Sequence, residues 1–243
     1  MELDFELDSS ETFPAILVKE NDSSAPIKMS ALKIHSEITG NLSYVTYDMT
    51  FYNDQDRILE GQLYFPLGES QSVSHFELEV NGKMREAVIV GKTKGRVAFE
   101  STVRAKIDPG LIEWTKGNSF KTRIYPIPAK GYKRVIIGFH QELQLTDNGA
   151  IFNLPMNFKD QVGTFEFTAE VIQQTNIPLV PKKTMKLDFT NWQDNFKTST
   201  AKKNYTPNEN IGFYIPFIKT NNLAWKYQDP VSNQFFYYGV IEQ

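Results

Sequence analysis

Hydrophobic and polar side chains alternate with a period of two along most of this chain. The alternation is clearest over residues 45–51, 59–67, 76–80, 120–124, 165–171, 185–189 and 211–217. Successive side chains of a β-strand point to opposite faces of a sheet, so each run predicts a strand with one buried face. An aromatic run at 235–241 predicts a last strand, whereas the polar interval 190–210 is predicted to be a loop.

Turn-forming residues separate these runs. Asn81-Gly82 directly follows a run and suits a two-residue type I′ turn, because both positions tolerate positive φ. The Asp-Pro-Gly sequence at 108–110 marks another turn, and Thr-Asp-Asn-Gly at 146–149 is the best candidate for a boundary between two β-rich regions. Pro126 cannot donate a ladder hydrogen bond, so its strand is expected to finish near an edge or in a loop.

Residues 91–106 interrupt the period-two pattern. Val90, Val97 and Ala98 fall at helical spacings, which predicts one short helix at about 92–105. The complete pattern therefore predicts a mainly β fold: an antiparallel β-sandwich with this one inserted helix, followed by a second β-rich region. The expected divisions of the chain are an N-terminal extension at 1–29, the sandwich at 30–145 and the second region at 146–243.

Composition narrows the possible functions. The 243 residues are 40% hydrophobic and 13% aromatic, a mixture that suits half-buried sheets. A formal net charge of −3 gives no positive field for a phosphate backbone, so nucleic acid is not expected as a partner. The absence of cysteine excludes disulfides, thiolate zinc sites and cysteine nucleophiles. No apolar run approaches the roughly 18 residues that a transmembrane helix needs, so no such segment is predicted in this chain.

Candidate catalytic and metal sites are weak. His35, His75 and His140 lie far apart in sequence, without the helical spacing of a metal site, and are expected to be ordinary surface or strand-face histidines. The acidic turn at 53–56 lacks the spacing of a calcium loop, and no Gly-x-Ser-x-Gly elbow exposes a serine nucleophile. We therefore expect no enzyme activity, no catalytic residues, no metal and no cofactor.

Exposed aromatic residues provide an alternative function. Trp114 and Trp192 could form part of a flat platform that binds a sugar ring, and this would make the chain a carbohydrate-binding β-sandwich. Packing of the same indoles in the core or between the sheets is the competing interpretation.

An ordered set of short motifs spans about residues 30–145. The set comprises Ile38-Thr39-Gly40, Phe51-Tyr52-Asn53, Leu59-Glu60-Gly61, Phe65-Pro66-Leu67, Asn81-Gly82, Phe99-Glu100, Asp108-Pro109-Gly110-Leu111-Ile112-Glu113 and Phe120 through Gly131. In this order the motifs resemble the vault protein inter-alpha-trypsin (VIT) domain family, most closely its forms in Bacteroidetes-type bacteria. The resemblance implies a β-sandwich with a helix inserted before the Asp-Pro-Gly turn, and it supplies no catalytic residues.

The same resemblance implies a role in protein interaction. The module usually precedes a von Willebrand factor type A domain, whose Asp-x-Ser-x-Ser signature does not occur in these residues, so we expect the N-terminal part of a longer protein. The expected function is a non-catalytic interaction or scaffold module whose partners include that downstream domain. The acidic first eight residues lack the features of a signal peptide. We nevertheless favour export to the periplasm, outer membrane or cell surface over a cytoplasmic location. Export would then depend on a signal peptide that preceded these residues and was removed.

Overall fold

The structure is a computed structural model that describes residues 14–20, 23–87, 111–115, 119–217, 222–228 and 235–241. All regular elements of the described residues are β-strands, which confirms the mainly β prediction. The helix expected at about 92–105 lies outside these residues. Within the described ranges, no helix has the length and apolar character that crossing a membrane requires.

The described residues contain eighteen strands. In chain order they are β1 Ala15–Glu20, β2 Ser23–Pro26, β3 Lys28–Thr39, β4 Leu42–Tyr52, β5 Leu59–Pro66, β6 Gln71–Val80, β7 Lys83–Glu86, β8 Leu111–Thr115, β9 Ser119–Ile127, β10 Tyr132–Glu142, β11 Gln144–Thr146, β12 Gly149–Leu154, β13 Val162–Ile172, β14 Thr190–Trp192, β15 Asn195–Tyr205, β16 Ile211–Pro216, β17 Asn222–Gln228 and β18 Phe235–Ile241.

Hydrogen bonding arranges these strands in four sheets. The largest has eight strands in the order β14-β15-β13-β3-β4-β10-β6-β7, and a five-stranded sheet has the order β2-β1-β5-β9-β8. A three-stranded sheet, β11-β12-β16, and the β17–β18 pair complete the set. Among these pairs, β3 and β13 run parallel and the others antiparallel. The parallel pair departs from the expected antiparallel pattern. It is possible because β3 and β13 lie far apart in the chain, whereas strands joined by a hairpin must be antiparallel.

The five-stranded sheet packs on one face of the large sheet. Tyr47 of β4 makes an edge-to-face contact with Phe65 of β5, with ring centroids 5.2 Å apart. Phe76 of β6 lies 5.6 Å from Phe120 of β9. These rings are almost completely buried. The hydrophobic positions of the period-two alternation therefore form the interior between two packed sheets.

The three-stranded sheet lies against the same face of the large sheet. The side-chain amide of Gln141 in β10 donates a 3.1 Å hydrogen bond to the backbone carbonyl of Asn153 in β12. The buried hydroxyl of Tyr47 lies 3.7 Å from the sulfur of Met156, just after β12. Both smaller sheets therefore cover the inner face of the large sheet, and its opposite face points away from the core.

Backbone pairing crosses the divisions expected from the sequence. The strands β13, β14 and β15, from the region expected at 146–243, belong to the eight-stranded sheet. From the extension expected at 1–29, β1 pairs with β5, with Leu17 opposite Gln62. Hydrogen-bonded sheets thus join the three predicted regions, and the divisions themselves stay predictions.

One turn prediction is confirmed, whereas the turn predicted at 108–110 lies outside the described residues. Asn81 and Gly82 have φ values of 52° and 74° and connect β6 to β7, as a type I′ turn requires. Pro126 lies opposite an irregularity in register between Leu59 and Gly61 of β5. A proline is tolerated at such a bulge because no ladder donor is needed there.

Two segment predictions are wrong. The interval 190–210 is largely the β14–β15 hairpin rather than a loop. The sequence of β15 shows no clear alternation of hydrophobic and polar residues. Phe196 and Thr198 are buried, but the strand otherwise consists mainly of lysine, threonine, serine and asparagine. Conversely, 185–189 forms no strand, although Met185, Leu187 and Phe189 are buried. These alternating residues pack on the core without joining a ladder.

Candidate functional site: the outer face of the large sheet

The outward-pointing side chains of the eight-stranded sheet form a broad surface, called here the outer face. They alternate with buried core residues, and most are exposed or half-buried. From one side of the sheet to the other, the outer face includes Lys197, Ser199, Ala201, Glu166, Thr168, Glu170, Lys33, His35, Glu37, Tyr44, Thr46, Asp48, Arg134, Ile136, His140, His75, Glu77 and Glu86.

Three basic side chains of this surface, Lys33, Arg134 and Lys197, form ion pairs with acids of neighbouring strands. Their closest N–O distances are 3.3 Å for Lys33–Glu166, 2.6 Å for Arg134–Asp48 and 3.2 Å for Lys197–Glu170. Arg134 binds both carboxylate oxygens of Asp48, and these hydrogen bonds raise the pKa of Arg134. Exposed pairs contribute only about 0.2–1 kcal/mol each. Their main effect is to hold long side chains flat along the face.

His75 lies between two carboxylates at one side of the outer face. Its Nε2 is 2.9 Å from Oε1 of Glu77, and its Nδ1 is 3.5 Å from Oε1 of Glu86. Glu77 and Glu86 are directly opposite each other in the β6–β7 pair, an arrangement that like charges destabilise. The imidazole therefore contacts both of the carboxylates that the sheet register places opposite each other.

His35 forms a similar group on β3, with β4 and β10 lying between it and the strand of His75. Its Nδ1 is 2.8 Å from Oγ1 of Thr168, and its Nε2 is 3.5 Å from Oε1 of Glu37. The hydrogen bond with His35 is the main reason that the pKa of Glu37 is lowered. The ionised Glu37 thus stabilises the fold above the ordinary carboxyl pKa, and this contribution is lost as the pH falls through the lowered value.

Tyr44 and His140 form the aromatic centre of the outer face. Their ring centroids are 5.0 Å apart, and burial lowers the pKa of His140 and raises that of Tyr44. The tyrosine ring covers Gly138, where an added Cβ would lie 2.2 Å from the Tyr44 hydroxyl oxygen. Gly138 therefore lets the ring of Tyr44 lie close against the sheet.

The clustering of histidines is the feature that sequence reasoning missed. His35, His75 and His140 were expected to be surface residues, but sequence spacing gave no sign that they share one face. That arrangement depends on the strand order β3-β4-β10-β6. Across the residues that the structure describes, no group of three or more histidine, cysteine or acidic side chains could hold a metal ion.

The two candidate tryptophans lie in different sheets. Trp192 belongs to β14, at an edge of the eight-stranded sheet, whereas Trp114 belongs to β8, at an edge of the five-stranded sheet. Trp192 is 58% exposed, and Nζ of Lys197 lies 5.2 Å from the centroid of its indole. Trp192 therefore lies at the edge of the outer face. Trp114 belongs to a different sheet.

A separate groove of about 700 Å³ opens where the β1–β2 hairpin meets the ends of β3 and β4. Its floor is apolar, with Val18 and Phe158 among the buried side chains. Its rim carries one cation, Lys28, and two acids, Asp54 and Asp160. This mixture selects no single class of ligand, so the outer face remains the better-defined candidate.

Comparison with protein families identifies part of the chain. Residues 29–139 match the model of the vault protein inter-alpha-trypsin domain family. The matched range nearly coincides with residues 30–145, where the ordered motifs occur. The fold observed for those residues, two packed β-sheets, agrees with the β-sandwich that the resemblance implied.

Two curated relatives are similar over much of the chain. Protein mono-ADP-ribosyltransferase PARP4 from Mus musculus is 24% identical over 153 residues, which are 63% of this chain and 8% of that protein. A von Willebrand factor A domain-containing protein from Dictyostelium discoideum is 22% identical over 183 residues, 72% of this chain and 19% of that protein. The chain thus spans less than a fifth of the length of either relative.

A solved structure shows that the arrangement of strands occurs elsewhere. A protein from Legionella pneumophila described as a nutrient-binding candidate has a TM-score of 0.52 and 12% identity, with 83% of this chain and 69% of that chain covered. At this identity the similarity concerns the fold alone.

Proposed function

We propose that this chain, whose residues 29–139 match the VIT family model, is a non-catalytic protein-interaction module of a larger protein. Its partner binds the outer face. The observation that carries this proposal is the asymmetry of the large sheet: one face is covered by two smaller sheets, and the other presents an ordered polar surface. The match to the family model supports the interaction role.

The partner that we propose is a von Willebrand factor type A domain of the same protein. The Dictyostelium relative carries that domain in its name, and this chain aligns with only 19% of its length. A protein of that size has room for a second folded domain beside this one. We further propose that the complete protein is exported and that this module acts as its scaffold.

The physical character of the outer face suits a folded partner better than a small molecule. Small ligands usually require a concave site that surrounds most of their surface, and Tyr44 fills the depression above Gly138. Lateral ion pairs and ring contacts restrict the side chains before binding. A restricted surface loses less conformational entropy when a partner docks.

A bulky charge on the outer face is expected to prevent this association. Ser199 is exposed on β15, opposite Thr168, so Ser199→Arg adds a long side chain without disturbing the core. We expect association to weaken at least tenfold. The complete protein is cut between its domains by limited proteolysis, and co-elution of the fragments is followed by size-exclusion chromatography.

The matched control for this experiment is Gln62→Arg. Gln62 is exposed on the five-stranded sheet, at the other side of the sandwich, and its replacement is expected to leave co-elution unchanged. Fragments that separate in the unmodified protein, or that co-elute equally well with Ser199→Arg, would show that the outer face is not the docking surface.

Carbohydrate binding is the second candidate function, and the exposed indole of Trp192 is the observation that favours it. A partly exposed indole beside a cation, here 58% exposed with Lys197 at 5.2 Å, can stack on the apolar face of a sugar ring. The described nutrient-binding candidate from Legionella pneumophila shares the fold. Trp114 remains a proposed contributor from the other sheet.

Replacing Trp192 by alanine tests this candidate. If the chain binds a sugar there, glycan-array signals should fall at least tenfold in Trp192→Ala, because the stacking surface is removed. Tyr132→Ala is the matched control, since Tyr132 is also 58% exposed and lies in a different strand. An unmodified chain that binds no glycan, or an equal loss in both variants, removes the candidate.

A further inference from the structure

All three histidines of the chain lie on the outer face. His35 is in β3, His75 in β6 and His140 in β10, and the sheet order places these strands within four neighbouring positions. Histidine is the side chain whose charge ordinarily changes between about pH 5 and 8. The surface that we propose for docking therefore carries every imidazole that this chain possesses.

The ring of His75 lies between two carboxylates of neighbouring strands. Both nitrogens face carboxylate oxygens, of Glu77 at 2.9 Å and of Glu86 at 3.5 Å. An ionised carboxylate only accepts hydrogen bonds, and a neutral imidazole has one donor and one acceptor. A charged imidazolium has an N–H on each side and can donate towards both carboxylates at once. A neutral ring leaves one of them facing an acceptor nitrogen.

His35 neutralises a third carboxylate in the same way. Its Nε2 faces Glu37 at 3.5 Å, while Nδ1 contacts the Thr168 hydroxyl, which can donate or accept. Lys33, Arg134 and Lys197 of the outer face are already engaged with Glu166, Asp48 and Glu170, respectively. Among the ion pairs of the residues that the structure describes, those of Glu37, Glu77 and Glu86 are with histidines.

On the basis of the function proposed above, we infer that the outer face is a pH-responsive docking surface for a partner that presents cationic side chains. With neutral imidazoles, Glu37, Glu77 and Glu86 are free to attract such a partner. With charged imidazoles, the three carboxylates are neutralised within the sheet. The partner is then released as the pH falls.

Other titratable and charged groups surround these rings. The groups that face His35 are Lys33 and Glu37 of β3, Glu166 and Glu170 of β13, and Tyr44 and Asp48 of β4. The groups that face His75 are Glu77 of β6, Glu86 of β7, Tyr44 of β4 and His140 of β10. The group that faces His140 is Tyr44. Lys33 opposes the charge on His35, but Lys33 is itself paired with Glu166. Burial lowers the pKa of His140, so that ring takes up its proton at the acidic end of the range.

The experiment uses the nicked complete protein and measures the dissociation constant of its fragments at pH 7.5, 6.5 and 5.5 by analytical ultracentrifugation. We expect roughly tenfold weaker association at pH 5.5 than at pH 7.5, because charged contacts at the rim of an interface contribute modestly and add up. A variant with His35→Gln, His75→Gln and His140→Gln should bind at pH 5.5 and pH 7.5 with constants that agree within about twofold.

Two further variants test whether the pH dependence comes from the outer face. Gln62→His adds an imidazole to the five-stranded sheet, away from the outer face, and should retain the wild-type pH dependence. Glu86→Gln removes one carboxylate from an exposed edge-strand position. It should weaken association at pH 7.5 about twofold and reduce the pH dependence, and it remains informative if the triple variant does not fold.

The possible outcomes separate the two proposals. Fragments that associate equally at all three pH values overturn the pH-responsive surface and leave docking intact. A pH dependence that persists in the folded triple variant, or in Glu86→Gln at full size, also overturns it. Fragments that do not associate at pH 7.5 overturn the proposed function itself, and the inference that depends on it fails with it.

Discussion

Replacing Asn53 by alanine is expected to lower the free energy of unfolding by about 3 kcal/mol. Asn53 is fully buried at the end of β4. Its side-chain amide donates to the carbonyls of Arg57, Ile127 and Pro128 at 2.9, 3.3 and 2.8 Å, and its Oδ1 accepts from the backbone N–H of Gln55 at 2.9 Å. Alanine leaves these groups without their partner, and each buried unsatisfied group costs about 1–3 kcal/mol.

The Asn53 side chain explains why a motif of the sequence carries structural information. It joins the β4–β5 connection to the end of β9, and its backbone N–H donates to the carbonyl of Gly131 at 2.9 Å. One amide therefore fixes two connections at the same end of the sandwich. The Phe51-Tyr52-Asn53 motif combines a core ring with this turn-locking group.

Thermal unfolding followed by circular dichroism measures this effect. For a chain of this size, about 3 kcal/mol corresponds to a midpoint lowered by roughly 6–12 °C. Asn53→Asp should be at least as destabilising at pH 7, because a carboxylate cannot donate to the carbonyls. Asn191→Ala is the matched control, since Asn191 is exposed on β14 and should change stability by under about 0.5 kcal/mol. A change that small for Asn53→Ala would contradict the role of the amide network.

Strands that are buried on one face could be predicted from sequence because burial and alternation have the same cause. In β4, inward Val45, Tyr47, Met49 and Phe51 are buried while the residues between them are half-exposed. The hairpin at Asn81 followed from local turn chemistry in the same direct way. Predicting these features requires only residues that are close together in the sequence.

Prediction failed where burial and pairing do not coincide. Strand β15 pairs along most of its length with β13, and only the three-residue β14 pairs with its other side. Of its residues, only Phe196 and Thr198 are buried. At 185–189, alternating burial occurs without a ladder, although the backbone N–H of Met185 donates to Asn210. Hydrophobic periodicity reports contact with the core, whereas strand assignment depends on a backbone partner elsewhere in the chain.

The candidate site was even less accessible to sequence reasoning. The distance from His75 to Glu77 follows from one strand, but the approach of Glu86 and His140 depends on which strands are neighbours. Non-local pairing sets that order, and no spacing rule in a single sequence encodes it. The sequence could supply the residues of the outer face but not their arrangement.

Phe139→Ala is expected to destabilise the fold by about 3–5 kcal/mol. Phe139 of β10 is 1% exposed, and its ring centroid lies 5.9 Å from that of Tyr47 and 6.0 Å from that of Phe65. The three rings join the large sheet to the five-stranded sheet. Truncation removes buried apolar surface and leaves a cavity that the strands on both sides are too rigid to close.

Chemical denaturation in urea measures this loss, and Phe139→Leu separates volume from shape. Leucine refills most of the space and should cost under about 2 kcal/mol. Ile58→Ala is the control for removing a large apolar side chain, because Ile58 is 59% exposed and should change stability by less than about 0.5 kcal/mol. If Phe139→Ala cost no more than Ile58→Ala, the three rings would not hold the sheets together. The outer face would then lack a rigid support, since its side chains keep their positions only while the strands beneath them are fixed by this layer of packing.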